Sequence, residues 1–193
     1  LVVGVVLVSI MILAAIFAPL IAPYGFSQLA DAESRFPTQA PPSPEHLWGT
    51  TVAGYDVFSR VIWGTRTALS VIAVAVVASI FIGVILGLIS GFIGGWLDRI
   101  LVTIADAVYA FPSLLFAIVL SVVISGGSSS AWGGIMAAGV TITVVFIPQY
   151  YRVIRAETVR LKAEPFVEAA TVIGAPRSRV IFRHIFRNAT RTL

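Results

Sequence analysis

Residues 67–90 read TALSVIAVAVVASIFIGVILGLIS, twenty-four positions without one charged side chain. A helix crosses the bilayer core with about 20 mostly apolar residues, because every amide must find its partner inside the segment. The uncharged run continues to 97 and has counterparts at 1–30 and 107–151. These stretches define an all-α fold, a polytopic transmembrane helix bundle.

Composition agrees. Of the 193 residues, 58% are hydrophobic and 11% charged, against about a quarter charged in soluble domains. A water-soluble globule is excluded. Thirteen Lys and Arg against nine Asp and Glu give a pI near 10.0, but a mean hydropathy of +0.98 leaves too little polar surface for a phosphate-binding face, so no nucleic acid partner is expected. The lipid bilayer is the expected partner of the basic charge. With no Cys, disulfides and thiolate chemistry are excluded.

Spans are expected near 1–21, 67–90, 100–124 and 133–151 of a single membrane domain, 1–193, the last two joined by a polar Gly/Ser turn at 125–130. Leu1 already sits inside an apolar run, so the chain reads as incomplete at its start, and a run to Leu20 with no basic head is too long for a signal core. The third span starts beside Asp98 and Arg99 and includes Asp106. Fifteen Val, Ile, Leu and Phe residues in 100–124 outweigh one carboxylate near its end.

Residues 152–193 hold nine basic groups against three acidic ones, which places this segment in the cytoplasm. Counting back through the spans puts the Pro-rich segment 22–66 outside. In the second span Gly83, Gly87 and Gly91 recur every four residues, a stripe that another helix approaches closely. Pro112 and Pro148 are expected to bend the third and fourth spans. In the external segment Asp56 is expected to cap a short helix bearing Val57, Phe58, Val61, Ile62 and Trp63, lying flat on the surface and stopping at Gly64. Arg60 and Arg66 are expected to meet lipid phosphates or water, and His46 to be a solvated loop residue, not a metal ligand.

Past the fourth span, Pro165 at a first helical position, the early Glu168 and the closing Gly174 mark a helix of two to three turns. So short a helix is unstable alone in water and must dock. Phe166, Ala169, Ala170 and Ile173 recur at helical spacing as an apolar stripe for a partner surface, with Glu168 off its centre. Beyond Pro176, a second helix places Arg179, Arg183, Arg187 and Arg191 in a basic ridge suited to anionic lipid.

Glu168-Ala169-Ala170, then Gly174 and Ile185, resembles the EAA signature of permease subunits of bacterial ABC importers. His46-Leu47-Trp48-Gly49-Thr50, then Gly54, Asp56, Ser59, Arg60 and Gly64, is similar to the external stretch of the dipeptide, oligopeptide and nickel permease group. The chain departs from that group at Thr51, Tyr55 and Phe186-Arg187. The resemblance also implies spans after the last helix, so the chain reads as a permease lacking its final spans and unable to transport in this form.

The resemblance implies an ATP-driven importer of the bacterial plasma (inner) membrane. Its expected partners are a second permease subunit, two ATP-binding cassette ATPase subunits and an external substrate-binding protein. Phe166, Glu168, Ala169, Ala170, Ile173 and Gly174 would form the coupling helix that seats in an ATPase cleft. The chain has no phosphate-binding loop around its one lysine, Lys162, so it is expected to be no enzyme and to hold no cofactor, with ATP and Mg bound by the ATPase partners. Two alternatives compete with this reading: a proton-coupled secondary transporter using Asp106 with Arg99 as its partner, and a membrane anchor with no transport role.

Overall fold

The apolar runs become helices, and the breaks between them fall at glycine and proline. The computed structural model describes residues 1–32, 34–126 and 131–189. They fall into two units, Leu1–Ile72 and Ala73–Leu193. The expected turn at 125–130 lies outside the described residues from 127 on.

Helix α1 is Val2–Ile16 and α2 is Ala18–Ile21. Phe17 interrupts the helix within the expected span 1–21, between α1 and α2. Helix α3 is Val57–Ile93, 37 residues and about 55 Å long. It corrects the expected surface helix: Val57 to Trp63 are the first turns of the span itself, and the helix does not stop at Gly64. A glycine ends a helix when it turns left-handed, and Gly64 does not, whereas Gly94 at φ 69° does so directly after α3.

Helix α4, Gly95–Ala110, and α5, Ser113–Ser125, are set at 99° to each other. Pro112 cannot donate to the ladder and disfavours helical geometry in the residue before it, and Phe111 is extended, at φ −88° and ψ 139°. Helix α6, Ala131–Lys162, carries Pro148 in its interior and continues through it as helix. Among the described residues two helical stretches, Val57–Ile93 and Gly133–Lys162, are long and apolar enough to cross a membrane, and α4 with α5 makes a third if taken as one broken span.

Beyond α6 come α7, Pro165–Val172, and a run made of α8, Arg177–Arg179, a π-helical stretch Val180–Ile185 and α9, Phe186–Ala189. The basic ridge is exposed at Arg179, Arg183 and Arg187, and Arg191 lies outside the described residues.

The glycine stripe seats α3 against α6. A Cβ on Gly83 would stand 2.7 Å from Tyr150 Cβ, one on Gly87 2.8 Å from the Tyr151 carbonyl oxygen, and one on Gly91 2.8 Å from Thr158 Cβ. Only bare backbone admits this approach.

Candidate functional site

The segment with the EAA spacing is built on the Lys162 end of α6. Its core comprises Val84 and Leu88 of α3, Ile154 and Leu161 of α6, Val167 and Ala170 of α7, and Val180, Ile185 and Ala189 of the last helical run. Burying these side chains offsets the instability of an eight-residue helix. Pro165 opens α7. Gly174, at φ 80°, closes it with two bonds: its amide reaches the Thr171 carbonyl at 3.0 Å, and the Ala175 amide reaches that of Ala170 at 3.0 Å. This is the Schellman arrangement, which satisfies carbonyls the helix leaves free.

The expected stripe therefore divides. Ala170 joins Val167 on the inner side, 7% exposed, and has no surface left for a partner. Phe166 and Ala169 stay exposed, and Ile173 with its neighbour Val172 is 84% and 80% exposed. Glu168 is exposed as well and lines a cavity of about 500 Å³ with Phe92, Lys162, Val167, Thr171 and Arg177. What remains open on α7 is an apolar face edged by charge.

Polar struts tie this platform to the spans. Arg155 of α6 donates two hydrogen bonds to Asp98 of α4, from Nε at 2.5 Å and Nη2 at 2.6 Å. Ser90 Oγ of α3 donates to Asp98 Oδ1 at 2.5 Å. With its proton so used, Ser90 Oγ accepts from the Tyr151 hydroxyl at 3.0 Å. Lys162 Nζ reaches the Phe92 carbonyl at 2.6 Å, a free acceptor in the last turn of α3. Arg160 bonds Glu157 and reaches Glu164 at 3.5 Å. The spacing of these residues along the chain shows charges near span ends but not which of them meet, so no sequence signal identified the Ser90-Asp98-Tyr151-Arg155 group. Asp106 pairs with Arg152, not with Arg99 as the proton-coupled alternative supposed.

In the first unit, the motif residues bind one another. Asp56 Oδ2 accepts from the Ser59 amide at 2.7 Å, capping α3 as expected, and Oδ1 meets His46 Nδ1 at 2.9 Å. His46 is 4% exposed, packed against Tyr24 and Phe36, which corrects its expected solvation. Burial raises the Asp56 pKa, but hydrogen bonds from Ser59 and His46 outweigh it and hold the carboxyl below its usual value. Thr50 Oγ1 donates to the Pro37 carbonyl at 2.6 Å and accepts from the Ala40 amide at 2.9 Å. Gly49, at φ 73°, would press a Cβ to 2.3 Å from the Ala40 oxygen. Arg60 turns back onto Phe26 and Tyr55, 4.1 and 4.5 Å above their rings, and Arg66 lies 5.5 Å over Trp63, so neither needs a lipid phosphate for its first partner. Thr51 and Tyr55, the departures from the group pattern, bond each other, the Tyr55 amide donating to Thr51 Oγ1 at 3.0 Å.

Long apolar helices, a proline-broken helix pair and a short docked helix on a basic end define an integral, polytopic α-helical membrane protein. The chain belongs to the family of binding-protein-dependent transport system inner membrane components, whose profile matches residues 83–193. Residues 1–42 match the N-terminal transmembrane domain of oligopeptide transport permease C. The chain is similar to the dipeptide transport system permease protein of Alkalihalophilus pseudofirmus, 36% identical over 188 residues, 97% of this chain and 58% of that protein. It is also 36% identical to the oligopeptide transport system permease protein of Bacillus subtilis over 189 residues, 97% of this chain and 58% of the relative. A glutathione transport system permease protein of Shigella dysenteriae is 36% identical over 178 residues, 92% of this chain and 55% of the relative. The chain thus spans a little over half the length of these relatives.

Proposed function

We propose that this chain is the membrane-spanning part of a permease subunit in an ATP-driven importer of the bacterial plasma membrane, with a peptide or a related small solute such as glutathione or nickel as cargo. It works with a second permease subunit, two ATPase subunits that bind ATP and Mg, and an external substrate-binding protein. The excess of basic groups in 152–193 sets this end in the cytoplasm. Family membership and the names of the relatives support the class.

One observation carries the mechanism: α7 has two apolar faces. Val167 and Ala170 fix it to α3, α6 and the last helical run, while Phe166, Ala169, Val172 and Ile173 face outward. The outer face seats in a cleft of the ATPase, Glu168 meets a basic group at its edge, and Gly174 allows the chain to turn back directly after the seat. Because α7 is packed and strutted, a displacement of the ATPase passes into α3 and α6 without being absorbed in a loop.

Ile173→Arg and Phe166→Ala in the full-length importer test this. Both side chains are exposed, so the fold survives, and the expected result is loss of ATPase co-purification and of uptake with membrane insertion unchanged. Wild-type uptake and ATPase retention in both variants would overturn the coupling assignment.

A further inference from the structure

Two helix contacts in this chain differ in how tightly they are made. Helix α3 meets α6 along the glycine seam, backbone against backbone, with no room to slide. Helix α4 is seated loosely. Among the described residues it buries one side chain, Ala105. Behind it lies an apolar cavity of about 170 Å³, lined by Leu101, Ala105 and Val108 with Leu86 of α3 and Ile147 and Pro148 of α6. Packed interiors leave few voids larger than a water molecule, so α4 forgoes dispersion contact on the face it turns inward.

Both ends of α4 are built to swivel. Gly94 and Gly95, at φ 69° and 66°, join it to α3, and nothing lies within 4 Å of a Cβ at either, so no packed neighbour resists a change in their angles. At the other end, extended Phe111 precedes Pro112 and α5 departs at 99°. Hinges are short links of this kind at the ends of elements.

Between these links a polar clamp holds the helix. Asp98, in the first turn of α4, keeps 17% side-chain exposure and accepts from Arg155 Nε and Nη2 of α6 and from Ser90 Oγ of α3. Ser90 and its partner Tyr151 are buried. All the donors to Asp98 therefore stand on the tightly joined pair α3 and α6, and the acceptor on the loosely seated helix. A second tie, Arg152 to Asp106, is about half exposed on both sides, and exposed pairs contribute little.

Resting on the importer reading above, we propose that α4 is the element that moves when an ATPase displaces the platform, and that Asp98 is its latch. Helices α3 and α6 travel as one body, and α4 swings against them about Gly94–Gly95 and Phe111–Pro112. Arg155 lies seven residues before Lys162 on the helix that leads into α7, so a displacement of α7 draws the donors away from Asp98. Asp98, Ser90 and Arg155 are thus positioning residues of the transport cycle.

Spin labels test this, since the chain contributes no Cys of its own. In the full-length importer with its ATPase partners, in a background otherwise free of Cys, Thr103→Cys on α4 and Phe81→Cys on α3 are each paired with Val153→Cys on α6. All three positions are exposed. The two label distances are measured without nucleotide and with trapped ATP, in the parent, in Asp98→Asn and in Ala105→Leu. Asp98→Asn keeps the shape and removes the charge, whereas Ala105→Leu keeps the latch and extends a side chain into the cavity.

With ATP the 103–153 distance is expected to shift by about 5 Å, the scale of one helical turn, while the 81–153 distance holds. Asp98→Asn should show the shifted distance without nucleotide, and Ala105→Leu should reduce the shift that ATP produces. An unchanged 103–153 distance in Asp98→Asn overturns the latch. Equal shifts of both distances overturn the assignment of α4 as the moving part. A shift in Asp98→Asn with no response of the parent to ATP supports the latch and refutes the ATP-driven reading.

Discussion

The seam between α3 and α6 gives a prediction whose size follows from the coordinates. In Gly87→Ala the new methyl would lie 2.8 Å from the Tyr151 carbonyl oxygen and 3.0 Å from both the Arg155 nitrogen and Ile154 Cβ, where ordinary contact begins at 3.4 Å. Two of these neighbours are backbone atoms and cannot rotate away, so the helices must part by roughly 0.4–0.6 Å. Overpacking of this kind costs about 1–3 kcal/mol. Alanine for glycine in a helix also gains about 1 kcal/mol of propensity. Gly64→Ala supplies that gain without the clash, because nothing lies within 4 Å of a Cβ there. The difference between the two variants is therefore about 1–3 kcal/mol with propensity cancelled. Thermal unfolding of purified protein in detergent, compared with the parent, measures it. Equal shifts for Gly64→Ala and Gly87→Ala would refute the close seam.

Asp98→Ala strands Arg155 and removes the acceptor of Ser90. A fully buried pair loses about 3–5 kcal/mol on such a change, and because Arg155 keeps 32% side-chain exposure the expected loss is nearer 2 kcal/mol, read by the same thermal unfolding in a double-mutant cycle with Arg155→Ala. In the first unit, Asp56→Ala removes the cap of α3, worth about 1 kcal/mol, and leaves buried His46 without its partner. The Asp56 carboxyl lies below its usual pKa, so its contribution is complete above the ordinary carboxylate range and disappears as pH falls through the lowered folded value. Fluorescence of Trp48 and Trp63 during acid titration should show that limb in the parent and not in Asp56→Ala.

Charge-free runs revealed the helices because lipid imposes a one-dimensional rule that sequence displays directly. Proline at 112 marked a true break, since it lacks a donor, whereas Gly94, which ends α3 at a positive φ, carried no such reading in the sequence. Gly64 misled for the same reason in reverse: composition at one position does not show which backbone angle the chain adopts. The helix at 165–172 was legible from its end signals, yet its inner and outer faces were not, because Ala170 and Ala169 differ only in which neighbour they meet. His46 looked solvated among prolines until the fold brought Asp56, Tyr24 and Phe36 around it. Partnerships between residues far apart in sequence, Asp98 with Arg155 above all, depend on helix rotation that periodicity leaves open.

The wider coil at 180–185 has a bearing on how this region tolerates change in length. It sets Val180 and Ile185, five positions apart, on the same buried cluster, a spacing an ordinary α-helix covers in four. A version of the chain one residue shorter between these two anchors could tighten to regular helix and still seat both. Length variation at this point would leave the platform beneath α7 undisturbed.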